Sequence, residues 1–352
     1  MTNNYKQREG KILLEVINLT KRYGNNTAVD HLSFKIEAGR IYGFLGPNGA
    51  GKSTTMNMIT GYLASSEGTV LIDGHDILKE PIEAKKHIGY LPEIPPLYTD
   101  MTVGEYLDFA ADLKKIAKAQ KSAMISEVME RTKIADMKGR LIRNLSKGYR
   151  QRVGIAEAIL GTPDIIILDE PTVGLDPKQI IEIRELIKSL GEKHTVILSS
   201  HILQEISAVC DHIMVISHGR LVASDTPDRL ANSMSDSHTM HLLVRSSEDE
   251  LKKVLSGIKE IKNIRFEASG ERGTAKAVVE SDSSTDIREA VFRRLADSHL
   301  PVLDMHSDNL SLEDVYLKLT GNDTTSASYN EDLDEKNNKD NSANEDSSKE
   351  VK

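Results

Sequence analysis

Lys52, Ser53 and the glycines before them are the residues of this chain whose types and spacing most directly dictate a chemistry. In GPNGAGKST (Gly46, Pro47, Asn48, Gly49, Ala50, Gly51, Lys52, Ser53, Thr54) the order G-x-x-x-x-G-K-[ST] is met at every required position. Glycines at 46, 49 and 51 let the backbone wrap closely, so that successive N–H groups can face one anion. A loop of this kind cradles nucleotide phosphates. Lys52 is expected to reach the β/γ-phosphates and Ser53 to place its hydroxyl on Mg²⁺. The flanks fit: IYGFLG (Ile41 to Gly46) reads as a buried strand and residues 52–62 as a helix, which sets the loop at a helix N-terminus.

A second run, IIILDEPTVGLDP (Ile165 to Pro177), has four aliphatic residues that read as a buried strand ending in two adjacent carboxylates. At such a sheet edge Asp169 fits a Mg²⁺ partner, holding the ion directly or through water beside Ser53. Glu170, one residue on, can point the other way and polarise an attacking water as general base. A third run, NLSKGYRQRVGIAEAIL (Asn144 to Leu160), has a short turn opening onto a helix, where a serine hydroxyl and backbone N–H groups make a second anion site. Alone, Ser-x-Gly before a helix is an ordinary N-cap. Its place about twenty residues ahead of the paired carboxylates gives it weight.

The elements that must position these residues follow from patterning. From Leu13 to about Ala231, short aliphatic strands alternate with helical patterns, the signature of an α/β domain with a largely parallel sheet. From about His241 the order reads β-α-β-β-α-β-α, a small α+β domain. Boundaries are expected at 1–234, 235–321 and 322–352. The last stretch is acidic and almost free of large apolar residues, so disorder is expected there.

Composition narrows the function classes. A net charge of -9 gives no support to nucleic-acid binding. The N-terminal stretch is polar, and the purely aliphatic runs are too short to cross a bilayer, so neither secretion nor membrane insertion is expected. The single cysteine, Cys210, excludes an internal disulfide framework and any multi-cysteine metal site, and it reads as a small buried hydrophobe suited to a reducing cytoplasm.

Taken in order, these motifs resemble the ATP-binding cassette (ABC) family, specifically the nucleotide-binding subunits of ABC transporters, over Leu13 to about Ala231. GPNGAGKST resembles Walker A and ILDEP resembles Walker B. LSKGY (Leu145, Ser146, Lys147, Gly148, Tyr149) is similar to the signature LSGGQ, GLDP (with Asp176) to the D-loop, and SSH (ending in His201) to the switch histidine that contacts the γ-phosphate. Tyr23 matches the aromatic residue that stacks on adenine. The segment Ser33 to Gly39 matches the antiparallel β-subdomain, and Thr102 to Leu160 the helical subdomain. Lys147 and Tyr149 depart from the usual glycine and glutamine, while Ser146 and Gly148 are kept. Glu93, in LPEIPPLY, stands where the family's Q-loop glutamine is usual. That variant resembles the exporter-type branch of gliding-motility and multidrug-efflux ATPases, as does the small domain ending SLEDVYLKLTG.

The resemblance implies a P-loop NTPase cassette that binds ATP and Mg²⁺, with Ser53, Asp169 and Glu93 toward the metal and Glu170, His201 and Glu93 at the reaction. It implies that ATP is sandwiched between the phosphate loop of one cassette and the signature of another, a second copy or a homologue. Opening and closing would drive a separate integral-membrane permease, the chain sitting on the inner face of the cell membrane. The alternative is a soluble ABC ATPase acting on nucleic acid or ribosomes. Its members carry long coiled coils or two cassettes, which this sequence lacks. A regulatory module without turnover would be expected to lack Glu170 or His201.

Overall fold

The computed structural model describes residues 10–233, 237–282, 287–308 and 312–321. The tail 322–352, for which disorder was expected, lies outside the described residues. The chain opens on a long antiparallel pair, β1 (Ile12–Tyr23) and β2 (Asn26–Glu37). β3 (Ile41–Leu45) enters a second sheet and runs through the phosphate loop into α1 (Lys52–Ile59). β4 (Glu67–Ile72) and β5 (His75–Asp76) return to the first sheet, in the order β2-β1-β4-β5. α2 (Pro81–Lys86) and β6 (Ile88–Leu91) precede three helices, α3 (Val103–Leu113), α4 (Lys118–Arg131) and α5 (Lys147–Ile159). Then come β7 (Ile165–Asp169), α6 (Pro177–Gly191), β8 (Thr195–Ser200), α7 (Leu203–Ser207), β9 (His212–Ser217) and β10 (Arg220–Asp225).

The second sheet has the order β10-β9-β3-β8-β7-β6, parallel except for β10. Every residue of β3, β7 and β8 is buried, the condition of parallel strands covered on both faces, and it explains their unbroken aliphatic runs. Because β3, β7 and β8 are parallel neighbours, their C-terminal ends deliver Gly46, Glu170 and His201 to one edge. The two sheets share a core in which Phe34 of β2 meets Phe44 of β3 at 5.9 Å between ring centroids. In the helical segment α3 starts on a capping box, Thr102 with Glu105. The buried Arg152 on α5 donates to Thr132 O at 3.1 Å and pairs with Glu182 on α6, tying the signature helix to the helix that follows Walker B.

Residues 227–315 make a second compact unit, so the division falls at Thr226/Pro227, ahead of the expected boundary at 234/235. After α8 (Pro227–Ser233) come β11 (Ser237–Val244), α9 (Glu248–Leu255), β12 (Ile261–Glu267), β13 (Ala275–Asp282), α10 (Arg288–Asp297) and β14 (Val302–Asp308), with α11 (Leu312–Thr320) last. The antiparallel order β12-β13-β11-β14 with this element order is the split βαβ, ferredoxin-like arrangement. Alternate residues Met240, Leu242 and Val244 of β11 meet Leu251 and Leu255 of α9, and Val291 of α10, in a separate core.

Candidate ATP-binding and hydrolysis site

The phosphate loop is shaped by what cannot carry a side chain. Gly51 N-caps α1 at φ 100°, and a Cβ there would lie 2.5 Å from Ala28 O, so any other residue would combine strain with a backbone clash. No side chain caps the start of α1. Lys52 is 6% exposed, and its Nζ donates to Gly46 O at 2.8 Å and Pro47 O at 3.2 Å across the loop. The same ammonium stands 3.4 Å from Glu170 Oε1.

At the end of β7 the two carboxylates part company. Asp169, 2% exposed, accepts a hydrogen bond from Ser199 Oγ through Oδ1. Glu170 adopts φ 47°, a left-handed conformation that costs a non-glycine residue on the order of 1–3 kcal/mol. Its N–H donates to Ser199 Oγ at 3.1 Å, which holds that backbone turn, and its Oε2 lies 3.0 Å from His201 Nδ1. Ser199, first of the pair in SSH, therefore binds both Walker B carboxylate residues. Sequence reading missed this role, because Ser199, two residues before His201, is an ordinary polar residue until β8 is set beside β7. Nearby, Tyr90 on β6 donates to Asn57 Oδ1 at 3.1 Å. Burial first, and then the charge of Asp169, push its phenol above the usual range, so it remains a neutral donor.

A cleft of about 460 Å³ opens on these groups, lined by the loop from Asn48 to Thr54, by Glu170 and His201, and by Glu93 from the segment after β6. Glu93 is exposed on its rim. Tyr23 is 50% exposed, with Lys21 Nζ 5.3 Å from its ring centroid, and is not among the lining residues. Nor is any residue of the signature. Ser146 N-caps α5, its Oγ accepting from Tyr149 N–H at 3.3 Å; Leu145 and Gly148 are buried, Ser146 and Lys147 exposed. Asp176 N-caps α6, accepting from Gln179 N–H at 2.9 Å. Lys147 reaches the D-loop: Gly174 sits at φ 69°, and a Cβ on it would lie 2.3 Å from Lys147 Nζ.

The cleft fits a nucleoside triphosphate: a buried lysine, a glycine-rich loop and a helix start without a side-chain cap face one volume. Of the three residues expected toward the metal, Ser53 and Glu93 line the cleft, while Asp169 is buried against Ser199 and does not. All three offer oxygen, the donor type that suits a hard divalent ion such as Mg²⁺.

Comparison with known proteins agrees with this geometry. The sequence profile of the ABC transporter family matches residues 29–173. The chain is similar to the bacitracin transport ATP-binding protein BcrA of Bacillus licheniformis, 40% identical over 62% of this chain and 71% of that protein. It is also similar to the daunorubicin/doxorubicin resistance ATP-binding protein DrrA of Streptomyces peucetius, 31% identical over 92% of this chain and 96% of that one. Among solved structures, a dimeric ATP-binding cassette in a post-hydrolysis state bound to ADP and Pi superimposes with a TM-score of 0.56, at 25% identity over 61% of this chain and 98% of its own. The chain belongs to the ABC transporter family, as one of its ATP-binding, ATP-hydrolysing subunits.

Proposed function

We propose that this subunit hydrolyses ATP in the cleft at the ends of β3, β7 and β8, within a pair of cassettes, to drive a separate membrane permease that exports its substrate. The observation that carries the reading is the convergence on one cleft of Lys52, at the start of α1, with Glu170 and His201, just past the ends of β7 and β8. Lys52 and the loop N–H groups hold the β/γ-phosphates. Glu170, anchored by Ser199, orients and deprotonates the attacking water, and His201 steadies Glu170 from one side while facing the γ-phosphate from the other. When bound by Ser53 and Asp169, with Glu93 in reach, Mg²⁺ supplies charge neutralisation between the phosphates. Tyr23 stacks on the base.

Leu145 to Tyr149 complete the site of the opposite cassette, a second copy of the chain or a homologue. ATP bridges the two cassettes, and its hydrolysis releases them. The segment around Glu93 and the helices α3 to α5 meet the permease, which places the subunit on the inner face of the cell membrane. Among the described residues no helix is long and apolar enough to cross a membrane, in keeping with a separate permease. The export direction is supported by the drug-resistance and antibiotic-transport relatives. The second unit, residues 227–315, serves as an accessory domain.

The test is Glu170→Gln, which keeps the shape and removes the base. ATP should still bind and draw two cassettes together by light scattering, while turnover falls by about 10² or more. Near-normal turnover would remove Glu170 from the base role.

A further inference from the structure

Glu205 belongs to none of the motifs above. It lies on α7, is 4% exposed, and its Oε2 accepts two hydrogen bonds, from Thr172 Oγ1 at 2.5 Å and from Ser200 Oγ at 3.1 Å. Ser200 Oγ also accepts the N–H of Ile202 at 3.0 Å, so this hydroxyl brackets His201. Thr172, 6% exposed, lies in the turn that begins at Glu170. A single carboxylate oxygen therefore fastens the loop carrying the base to the loop carrying the switch histidine. Among the described residues Glu205 forms no ion pair. A buried carboxylate without a cation costs several kcal/mol, and an apolar side chain of similar volume would fill the same space more cheaply. Stability alone is a poor reason for an acid here.

We propose that Glu205 is a positioning residue for ATP hydrolysis. Through Thr172 and Ser200 it fixes the two loops in the register at which Glu170 Oε2 and His201 Nδ1 stand 3.0 Å apart. It touches no substrate. Ser199 holds the same pair of loops from the strand side, by its bonds to Asp169 and the Glu170 N–H. The assignment rests on the reading of Glu170 as base and His201 as its γ-phosphate partner.

The experiment is steady-state ATPase kinetics of the full chain, with Tm followed by calorimetry. Glu205→Leu should lower kcat at least about tenfold while KM for ATP stays within about twofold, the split expected when only the transition-state arrangement is lost. Glu205→Gln, which keeps an acceptor oxygen, should recover most of that loss. Thr172→Val should reduce kcat by itself and add nothing in the Glu205→Leu background, because the bond it removes is already gone. Equal loss in Glu205→Gln and Glu205→Leu, or full additivity with Thr172→Val, overturns the proposal. Should Glu205→Leu fail to fold, a folded Thr172→Val with wild-type kcat overturns it as well. Glu170→Gln measured in parallel separates the two readings: if it is inactive and Glu205→Leu is not, only the Glu205 assignment falls. If Glu170→Gln itself turns over normally, the reading beneath it falls.

Discussion

Helices α1 and α5 both begin at a loop that the sequence marks for phosphate binding, yet their surroundings differ. At α1 no side chain caps the helix start, Lys52 is buried, and Glu170 and His201 face it from neighbouring strands. At α5 the Ser146 hydroxyl is already engaged with Tyr149 N–H of its own helix, Ser146 and Lys147 are exposed, and no residue from 145 to 149 lines the cleft. The first loop is walled by its own chain and the second is not. A helix N-terminus attracts anions in both cases. Only the first has the buried groups that turn attraction into chemistry, and the function proposed above gives the second to the site of another cassette.

The contrast breaks most sharply on Lys52→Ala against Ser146→Ala. Lys52→Ala should abolish turnover by about 10² or more and weaken nucleotide binding to a single chain, since it removes the charge within the walled loop. Ser146→Ala should leave single-chain affinity, by calorimetry, within about twofold, while turnover and ATP-dependent pairing fall roughly tenfold. Equal loss of single-chain affinity in both would mean that α5 serves its own chain's nucleotide.

A smaller effect is expected for Lys147→Met, which keeps the length and removes the charge. Pairing in ATP, followed by light scattering, should weaken by roughly three- to tenfold with single-chain affinity unchanged, because one ammonium on an exposed surface is strongly screened. Glu93→Gln should be the mildest of the set, with ATPase activity within about threefold of wild type, since the amide carbonyl still offers an oxygen to Mg²⁺ without repelling the triphosphate. Inactivity as complete as that of Glu170→Gln would move part of the base role to Glu93.

What could be read in advance followed from how local each feature is. Gly46 to Thr54 and Ile165 to Glu170 were legible because short-range backbone needs and unbroken burial write themselves into adjacent residues. The order of elements from β11 to α11 was legible for the same reason, whereas the sheet order β12-β13-β11-β14 depends on long-range pairing. Of β1 and β2 only the end of β2 was read, as a strand and turn from Ser33 to Gly39. Bulges along β1, with Asn18 and His31 at φ 48° and 50°, interrupt the alternation that marks a strand. The helix expected over 52–62 ends at Ile59, because Thr60 turns its hydroxyl back to Met56 O and Gly61 takes φ 66°. Ser199 and Glu205 were not legible. Each is an ordinary polar residue until the fold sets β8 and α7 against the turn after β7.

The contact of Lys147 with Gly174 bears on how parts of this protein could be exchanged with its relatives. The signature occupies a short string, Leu145 to Tyr149. Here its second residue after Leu145 lies against a glycine in a different loop, where a Cβ would stand 2.3 Å from Nζ. With alanine or serine at the position of Gly174 the exposed lysine tip would swing aside at little cost, while φ 69° strains any residue but glycine there. An exchange of the signature therefore depends chiefly on the turn at Gly174, and Lys147 adds only a side-chain adjustment to it.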